Sequence, residues 1–127
     1  MNESNLTSVL SVLIVDDAAF SRRMLRKYVE AEGCKVLEAA NGQEALGLVH
    51  QHQPDCILVD LLMPDIDGFQ LLQMLRDEGC AIPIAIVSAD IQETSRQRGT
   101  ELGAAGFLNK PAKEAEVRQT IRQLLQR

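Results

Sequence analysis

Aromatic residues are scarce in this chain of 127 residues: they make up 3% of it, and there is no Trp. Binding surfaces for single-stranded nucleic acids depend on aromatic stacking, so this class of surface is disfavoured. Positive charge is also in deficit, because 18 Asp and Glu residues against 13 Lys and Arg residues give a formal net charge of −5. A freestanding nucleic-acid binder is usually basic. We therefore expect no direct DNA or RNA binding.

Long apolar runs are also missing. No run approaches the ~20 residues that a membrane span needs, and the polar residues 1–5 lack the basic start and apolar stretch of a secretory signal peptide. The cysteines, Cys34, Cys56 and Cys80, are odd in number, and two of them lie within or beside apolar, strand-like runs. Buried, reduced thiols are the expected state. We expect a cytoplasmic protein without membrane contact.

The remaining composition is that of a globular domain, with 46% hydrophobic and 24% charged residues. Five short apolar runs alternate with five stretches of helical periodicity. Strands are predicted over 9–15, over 34–39, in the run that ends at Asp60, over 83–88 and over 107–108. Helices are predicted from Phe20 to Gly33, from Gln43 to Pro54, from Phe69 to Gly79, over 92–102 and over 113–126. This alternation predicts an α/β fold, a doubly wound parallel sheet covered on both faces.

Two details of this pattern are specific enough to test. The second predicted strand is the more polar one, which suits a sheet edge. In the first helix, an apolar stripe is predicted on one face, formed by Phe20, Met24, Leu25, Tyr28 and Val29. We expect residues 1–8 to be a polar lead-in and residues 9–127 to be one domain, with no effector domain.

Polar side chains stand at the carboxyl ends of four predicted strands. They are Asp16 and Asp17, Asp60, Ser88 and Lys110. In an open parallel sheet these ends converge on one crevice. Two unit charges ~4 Å apart repel by about 4 kcal/mol at an effective dielectric near 20, so such a carboxylate cluster requires a proton or a cation.

The chemistry of this set points to phosphoryl transfer. Oxygen ligands without His or Cys favour a hard cation, Mg²⁺ first. Lys110 suits a phosphoryl oxygen, and Ser88 offers a hydroxyl donor. We therefore predict a phosphoryl-transfer site in which Asp60 is the nucleophile and becomes an aspartyl-phosphate. Taken alone, Asp17 could simply cap the following helix, and Lys110 with Pro111 could mark a helix start.

Four motifs together resemble a known family. They are Leu13-Ile14-Val15-Asp16-Asp17, Asp60-Leu61-Leu62-Met63-Pro64 with Asp67-Gly68, Ser88-Ala89, and Phe107-Leu108-Asn109-Lys110-Pro111. The chain resembles the bacterial two-component response regulator receiver domain, of the single-domain chemotaxis-regulator type, over about residues 9–126. The resemblance implies a flavodoxin-like sheet of strand order 2-1-3-4-5 and a phosphoprotein role in signal transduction.

The resemblance assigns roles to the acidic residues. Asp60 would accept a phosphoryl group from a phosphohistidine on a sensor histidine kinase or phosphotransfer protein. Asp17, Asp60 and the backbone carbonyl of Leu62 would bind Mg²⁺, while Asp16 would act through metal-bound water. Asp90, two residues after Ser88, would flank the phosphoryl site together with Leu62.

The resemblance also implies a switch. Lys110 would contact the phosphate, through a cis peptide bond to Pro111. Ser88, standing where Thr is more usual, would move toward the phosphoryl group, and Phe107, standing where Tyr is common, would rotate inward. The surface of helix 4, strand 5 and helix 5 would then change its affinity for an output protein that the sequence does not identify. Ala112 replaces the Phe that often follows the Lys-Pro pair.

Three alternatives stay open. The chain could be a phosphate sink or phosphorelay carrier without its own output. An aspartyl-phosphate phosphatase of the haloacid-dehalogenase type is less favoured, because that class needs an Asp where this chain has Leu62. A nucleotide-binding domain is disfavoured because the loop after the first strand lacks the Gly-x-Gly-x-x-Gly pattern. We expect no enzyme activity beyond self-phosphorylation and self-dephosphorylation.

Assembly and partner surfaces are less defined by the sequence. A monomer or weak dimer is expected. Four arginines on the last two helices, Arg96, Arg98, Arg118 and Arg122, form either a partner surface for acidic groups or a solvated face. Leu62 cannot position an attacking water by a side-chain hydrogen bond, so slow self-dephosphorylation is predicted.

Overall fold

The computed structural model describes residues 9–89 and 92–126, in which strands and helices alternate strictly. The strands are β1 (Ser11–Val15), β2 (Lys35–Ala39), β3 (Cys56–Val59), β4 (Ile84–Ser88) and β5 (Gly106–Asn109). The helices are α1 (Ala19–Ala31), α2 (Gly42–His52), α3 (Gly68–Asp77), α4 (Glu93–Glu101) and α5 (Glu114–Leu125). The predicted doubly wound α/β fold is confirmed.

All strand pairings are parallel, in the order β2-β1-β3-β4-β5. β1 lies between β2 and β3, with Val12 opposite Val36 on one side and Cys56 on the other. β3 and β4 are buried along their whole length, as expected for strands covered on both faces. The more polar β2 lies at one edge of the sheet, as predicted.

Alternating side chains divide the interior into two cores, one on each face of the sheet. One core contains Leu13 and Ile57 from the sheet together with Leu72 of α3. The other contains Val12 and Leu58 together with residues of α1 and α5. Successive side chains of β1 and β3 therefore point to opposite faces of the sheet. Because both faces are covered by a core, these strands are continuously apolar.

Local sequence signals explain where the helices begin. The Asn41 side chain accepts a hydrogen bond from the Glu44 amide at 2.8 Å, so the Asn-Gly pair is a strand-to-helix turn. Asp67 caps α3 in a reciprocal capping box with Gln70, at 2.8 and 2.9 Å. The positive φ of Gly33, +85°, lies just after the end of α1.

The predicted apolar stripe of α1 is only partly buried. Leu25 and Val29 of α1 are buried as the stripe requires, but Phe20 is 70% exposed. It lies in the first turn of the helix, which follows the carboxyl end of β1.

Two of the predictions concern residues that lie outside the described ones, namely the polar lead-in at 1–8 and the position of Asp90. Within 9–89 and 92–126, no helix is long and apolar enough to cross a membrane.

Candidate functional site

Three carboxylates meet at the carboxyl edge of the sheet, because β1 and β3 are neighbours and each is followed directly by Asp. Backbone hydrogen bonds extend the sheet to these residues, from Asp16 to the Ala39 carbonyl at 3.1 Å and from Asp60 to the Val15 carbonyl at 3.0 Å. Asp16 is 1% exposed and Asp60 is 6% exposed, whereas Asp17 faces solvent. Carboxylate oxygens of Asp16, Asp17 and Asp60 all lie within 4.8 Å of one another.

Lys110 brings a positive charge into this cluster from the end of β5. Its Nζ lies 2.7 Å from Asp16 Oδ2 and 2.7 Å from Asp60 Oδ2. Burial alone would lower the pKa of Lys110, but the contacts with Asp16 and Asp60 outweigh it and raise the pKa. Lys110 is therefore an ammonium at neutral pH. One positive charge among three carboxylates leaves two negative charges uncompensated within the cluster.

The donor set fits a divalent cation. Asp16 Oδ1 accepts a hydrogen bond from the Ala18 amide at 2.9 Å. The buried Asp16 Oδ2 has the Lys110 ion pair but no well-directed hydrogen bond among the described residues. Oxygen ligands, a carboxylate oxygen still open to a further partner and the residual negative charge together match the preferences of Mg²⁺.

The loop after Asp60 is shaped by a close approach of α3. The Leu62 amide donates to Asp60 Oδ1 at 3.2 Å. A Cβ at Gly68 would lie 2.4 Å from the Asp60 carbonyl oxygen, so only glycine lets α3 begin against this loop. Its amide also donates to the Leu61 carbonyl at 3.0 Å. Gly68 therefore allows α3 to pack directly against the residue that carries the Asp60 carboxylate.

The other predicted residues lie on or shortly after β3, β4 and β5. Ser88 is fully buried at the end of β4, and its carbonyl accepts from the Lys110 amide at 3.0 Å. The Lys110–Pro111 peptide bond is cis. Phe107 is half-buried on β5, and Leu62 is 60% exposed beside Asp60.

The simpler interpretation of Asp17 is wrong. The N-cap of α1 is Ala18, without a side-chain cap, so Asp17 does not cap the helix. It is therefore available to the acidic cluster.

An apolar groove opens beside the acidic cluster, between α1 and the segment that joins β5 to α5. It has a volume of about 430 Å³ and shares Lys110 with the cluster. Its other walls include Phe20, Met24, Tyr28, Pro111 and Ala112. The exposed position of Phe20 is explained by this groove, which it lines together with the small side chain of Ala112.

Sequence reasoning missed one residue that contacts the site. Arg22 Nη1 donates to the Asp16 carbonyl at 2.6 Å, and Arg22 Nε donates to Glu38 Oε1 at 3.2 Å. No spacing signal marks this contact, since an arginine in the second turn of an amphipathic helix usually faces solvent.

The fold and this site define a class of protein. Residues 12–122 match the response regulator receiver domain family, and the chain belongs to it. Receiver domains are signalling modules of two-component systems. The predicted family, strand order and signalling role are therefore confirmed.

Particular relatives give the extent of the similarity. The transcriptional regulatory protein SrrA of Staphylococcus aureus is 40% identical over 116 residues, which is 91% of this chain and 48% of that protein. This chain thus spans about half the length of the curated relatives that it matches. The chemotaxis protein CheY4 of Vibrio cholerae is 29% identical with a TM-score of 0.88, covering 93% of this chain and 100% of that one. The receiver domain of Francisella response regulator 1452 is 29% identical with a TM-score of 0.87, covering 92% and 97%.

Proposed function

We propose that Asp60 accepts a phosphoryl group from a phosphohistidine on a sensor histidine kinase or phosphotransfer protein. One observation carries the proposal: Asp60 lies within 4.8 Å of two further carboxylates and 2.7 Å from the Lys110 ammonium. A nucleophilic carboxylate, a place for a divalent cation and a fixed positive charge are the parts that phosphoryl transfer needs.

Asp16, Asp17 and Asp60 would hold Mg²⁺, with the backbone carbonyl of Leu62 as a further ligand and with Asp16 acting through a bound water. The bound ion would neutralise negative charge on the transferring phosphoryl oxygens. The two uncompensated negative charges of the cluster support a divalent rather than a monovalent cation.

In the transfer step, an Asp60 carboxylate oxygen attacks phosphorus and forms a P–O bond. The P–N bond to the donor histidine breaks, and the imidazole nitrogen keeps its electron pair. Lys110 would leave its ion pair with Asp60 to contact a phosphoryl oxygen, and the Ser88 hydroxyl would donate to another. The chain turns over no substrate other than its own phosphoryl group.

The apolar groove supports docking of the donor protein beside Asp60. Lys110 lies in both the groove and the acidic cluster, so a partner helix seated against Phe20 and Pro111 would bring its histidine to the mouth of the site. Apolar contact area next to a small polar centre is the usual composition of such a docking surface.

The output would follow from Ser88 and Phe107. Movement of Ser88 toward the phosphoryl group would open space for the Phe107 ring, and the surface of α4, β5 and α5 would change its affinity for an output protein. The close packing of Phe107 against α4 supports this coupling, since a Cβ on Gly99 would lie 2.9 Å from Phe107 Cε1.

We also propose the cytoplasm as the compartment. Cys56 and Cys80 are free thiols, and burial raises the pKa of Cys56 to about 12, which makes it unreactive. Thiols outside any disulfide suit a reducing compartment.

The direct test uses a small phosphodonor. Incubation with acetyl phosphate and Mg²⁺ should add the mass of one phosphoryl group, and Asp60→Asn should abolish the gain. Asp65→Asn is the matched control, because it removes an exposed carboxylate five residues away in a backbone conformation (φ +67°) that Asn also adopts. Modification that persists in Asp60→Asn would overturn the proposal.

The sink alternative differs in its output. A sink returns its phosphoryl group to a kinase and has no partner whose affinity depends on phosphorylation. An affinity change toward an output protein on phosphorylation, absent in Asp60→Asn, supports the output role over the sink.

Leu62 would set a long phosphoryl lifetime. Its exposed apolar side chain lies next to Asp60 and cannot orient an attacking water. Leu62→Asn should shorten the half-life about two- to tenfold, the factor that one hydrogen bond of roughly 0.5–1.5 kcal/mol supplies. Loss of phosphoryl label from Mg²⁺-loaded protein measures this, with Leu62→Met as the apolar control. An unchanged half-life in Leu62→Asn would contradict the assignment.

A further inference from the structure

The side chain of Arg22 on α1 contacts the backbone of the acidic cluster. Its Nη1 donates to the Asp16 carbonyl at 2.6 Å, and its Nε donates to Glu38 Oε1 on β2 at 3.2 Å. The side chain is 18% exposed, so it lies mostly within the structure. One guanidinium thus joins the end of β1 to the neighbouring strand.

The contact acts on Asp17. The Asp16 carbonyl belongs to the peptide that links Asp16 to Asp17, and a peptide unit is planar. A hydrogen bond that fixes the direction of this carbonyl therefore also fixes the position of the Asp17 backbone. Asp16 is held by the sheet and is buried, whereas Asp17 lies beyond the strand and faces solvent. Asp17 is thus the carboxylate whose position depends most on this peptide.

Glu38 orients the guanidinium. It accepts hydrogen bonds from both Arg22 and Arg26. The bond from Arg26 is the main cause that lowers the pKa of Glu38, with the bond from Arg22 adding to it against partial burial. Glu38 is therefore ionised at neutral pH and compensates the charge of Arg22.

We propose that Arg22, oriented by Glu38, is a positioning residue that keeps the Asp17 carboxylate beside Asp16 and Asp60 for a divalent cation. This inference rests on the proposed function. Arg22 touches neither the cation nor the phosphoryl group, and it acts through the Asp16–Asp17 peptide.

A charge effect and a positioning effect predict opposite changes in Mg²⁺ affinity when Arg22 is removed. If only charge matters, the loss of a cation near an acidic cluster strengthens Mg²⁺ binding. If positioning matters, the same loss weakens it, by about tenfold, since partners that orient metal ligands typically contribute 10- to 100-fold to metal affinity. The direction of the change in Mg²⁺ affinity therefore distinguishes positioning by Arg22 from a simple charge effect.

The experiment measures the Mg²⁺ dissociation constant by calorimetry for wild type, Arg22→Gln, Arg22→Lys and Arg23→Gln. Arg23→Gln removes the same charge from an exposed neighbour on the same helix. We expect weaker binding in Arg22→Gln and also in Arg22→Lys, which keeps the charge but loses the two-directional guanidinium. Arg23→Gln should leave binding unchanged or slightly stronger.

A second readout excludes a general loss of structure. The Mg²⁺ concentration that gives half-maximal beryllofluoride binding should rise in both Arg22 variants, while the level at saturating Mg²⁺ stays at the wild-type value. Unchanged or tighter Mg²⁺ binding in Arg22→Gln, or a lowered plateau without a shifted midpoint, would overturn the inference and leave the proposed function intact. A wild-type chain that binds no Mg²⁺ would instead overturn both.

Discussion

Helices α1 and α4 both follow strands that end at the acidic site, but they are held to the sheet in different ways. α1 buries Leu25 and Val29 in the core. Its Arg22 and Arg26 both donate to Glu38 on the edge strand β2. Apolar burial and directed ion pairs therefore fix α1 against the sheet.

α4 has much less to hold it. Gly99 is its only buried residue. Two arginines lie over aromatic rings of neighbouring elements, with Arg96 4.9 Å from the Phe107 centroid and Arg98 4.4 Å from the Phe69 centroid. Contacts of this kind contribute about 0.5–1 kcal/mol each at exposed sites and tolerate changes of angle.

The difference assigns the two helices different parts of the mechanism. Elements with little buried apolar surface are the ones that open or move at low free-energy cost. We expect α1 to stay in place as the frame of the acidic cluster, while α4 shifts with Phe107 when Asp60 is phosphorylated.

The largest expected effect on stability comes from removing a buried side chain of α1. Leu25→Ala removes a side chain that is 3% exposed, and we expect the free energy of unfolding to fall by about 2–5 kcal/mol. Leu102→Ala, at the half-buried C-terminal end of α4, should lower it by less than half as much. Urea denaturation measures both. Equal losses would contradict the comparison.

The next effect separates two helix glycines. A Cβ at Gly99 would lie 2.8 Å from Ile86 Cδ1 and 2.9 Å from Phe107 Cε1, whereas a Cβ at Gly47 in α2 would meet nothing within 4 Å. Gly47→Ala should therefore stabilise by about 0.5–1 kcal/mol through helix propensity. Gly99→Ala should destabilise by about 1 kcal/mol through overpacking and should displace α4. Denaturation and chemical shifts around Phe107 measure these effects, and stabilisation by Gly99→Ala would show that α4 already has room to move.

A smaller effect is expected at Arg96. Arg96→Gln removes the cation over the Phe107 ring, so the unfolding free energy should fall by about 0.5–1 kcal/mol. A double-mutant cycle with Phe107→Leu isolates the contact, because the Arg96 substitution should then have no further effect. A full Arg96 effect in the Phe107→Leu background would mean that the contact does not hold α4.

The smallest effect is a pH dependence on the α1 side. Hydrogen bonds from Arg122, and then from Arg118, lower the pKa of Glu32 from 4.5 to about 2. A lowered pKa in the folded state contributes stability in full above pH 4.5, and this contribution is lost as the pH falls toward 2. The stability difference between wild type and Glu32→Gln should therefore be constant above pH 4.5 and shrink below it. Glu116→Gln, an exposed carboxylate on α5, should show no such trend, and a difference that grows in acid would refute the assignment.

Structural features that depend on residues close together in the sequence were predictable, and features that depend on distant residues were not. The strands, the helices and the placement of Asp16, Asp60 and Lys110 were predictable, because hydrophobic periodicity and strand-end positions are local signals. The exposure of Phe20 was not predicted, since a helical stripe does not reveal which of its residues contact the sheet. Periodicity along one helix describes that helix alone.

The roles of the arginines could not be predicted. The sequence left Arg118 and Arg122 as either a partner surface or a solvated face, but both bind Glu32, 86 and 90 residues away along the chain. Arg96 and Arg98 likewise lie over rings of other elements. Such contacts depend on the three-dimensional arrangement, which no local pattern encodes.

Amide hydrogen exchange with and without beryllofluoride and Mg²⁺ tests the central claim most directly, in wild type and in Asp60→Asn. The account predicts that exchange changes in the acidic loops and in α4 and β5, that the interior of α1 keeps its protection, and that Asp60→Asn shows none of these changes. Unchanged exchange in α4, or the same changes in Asp60→Asn, would contradict it.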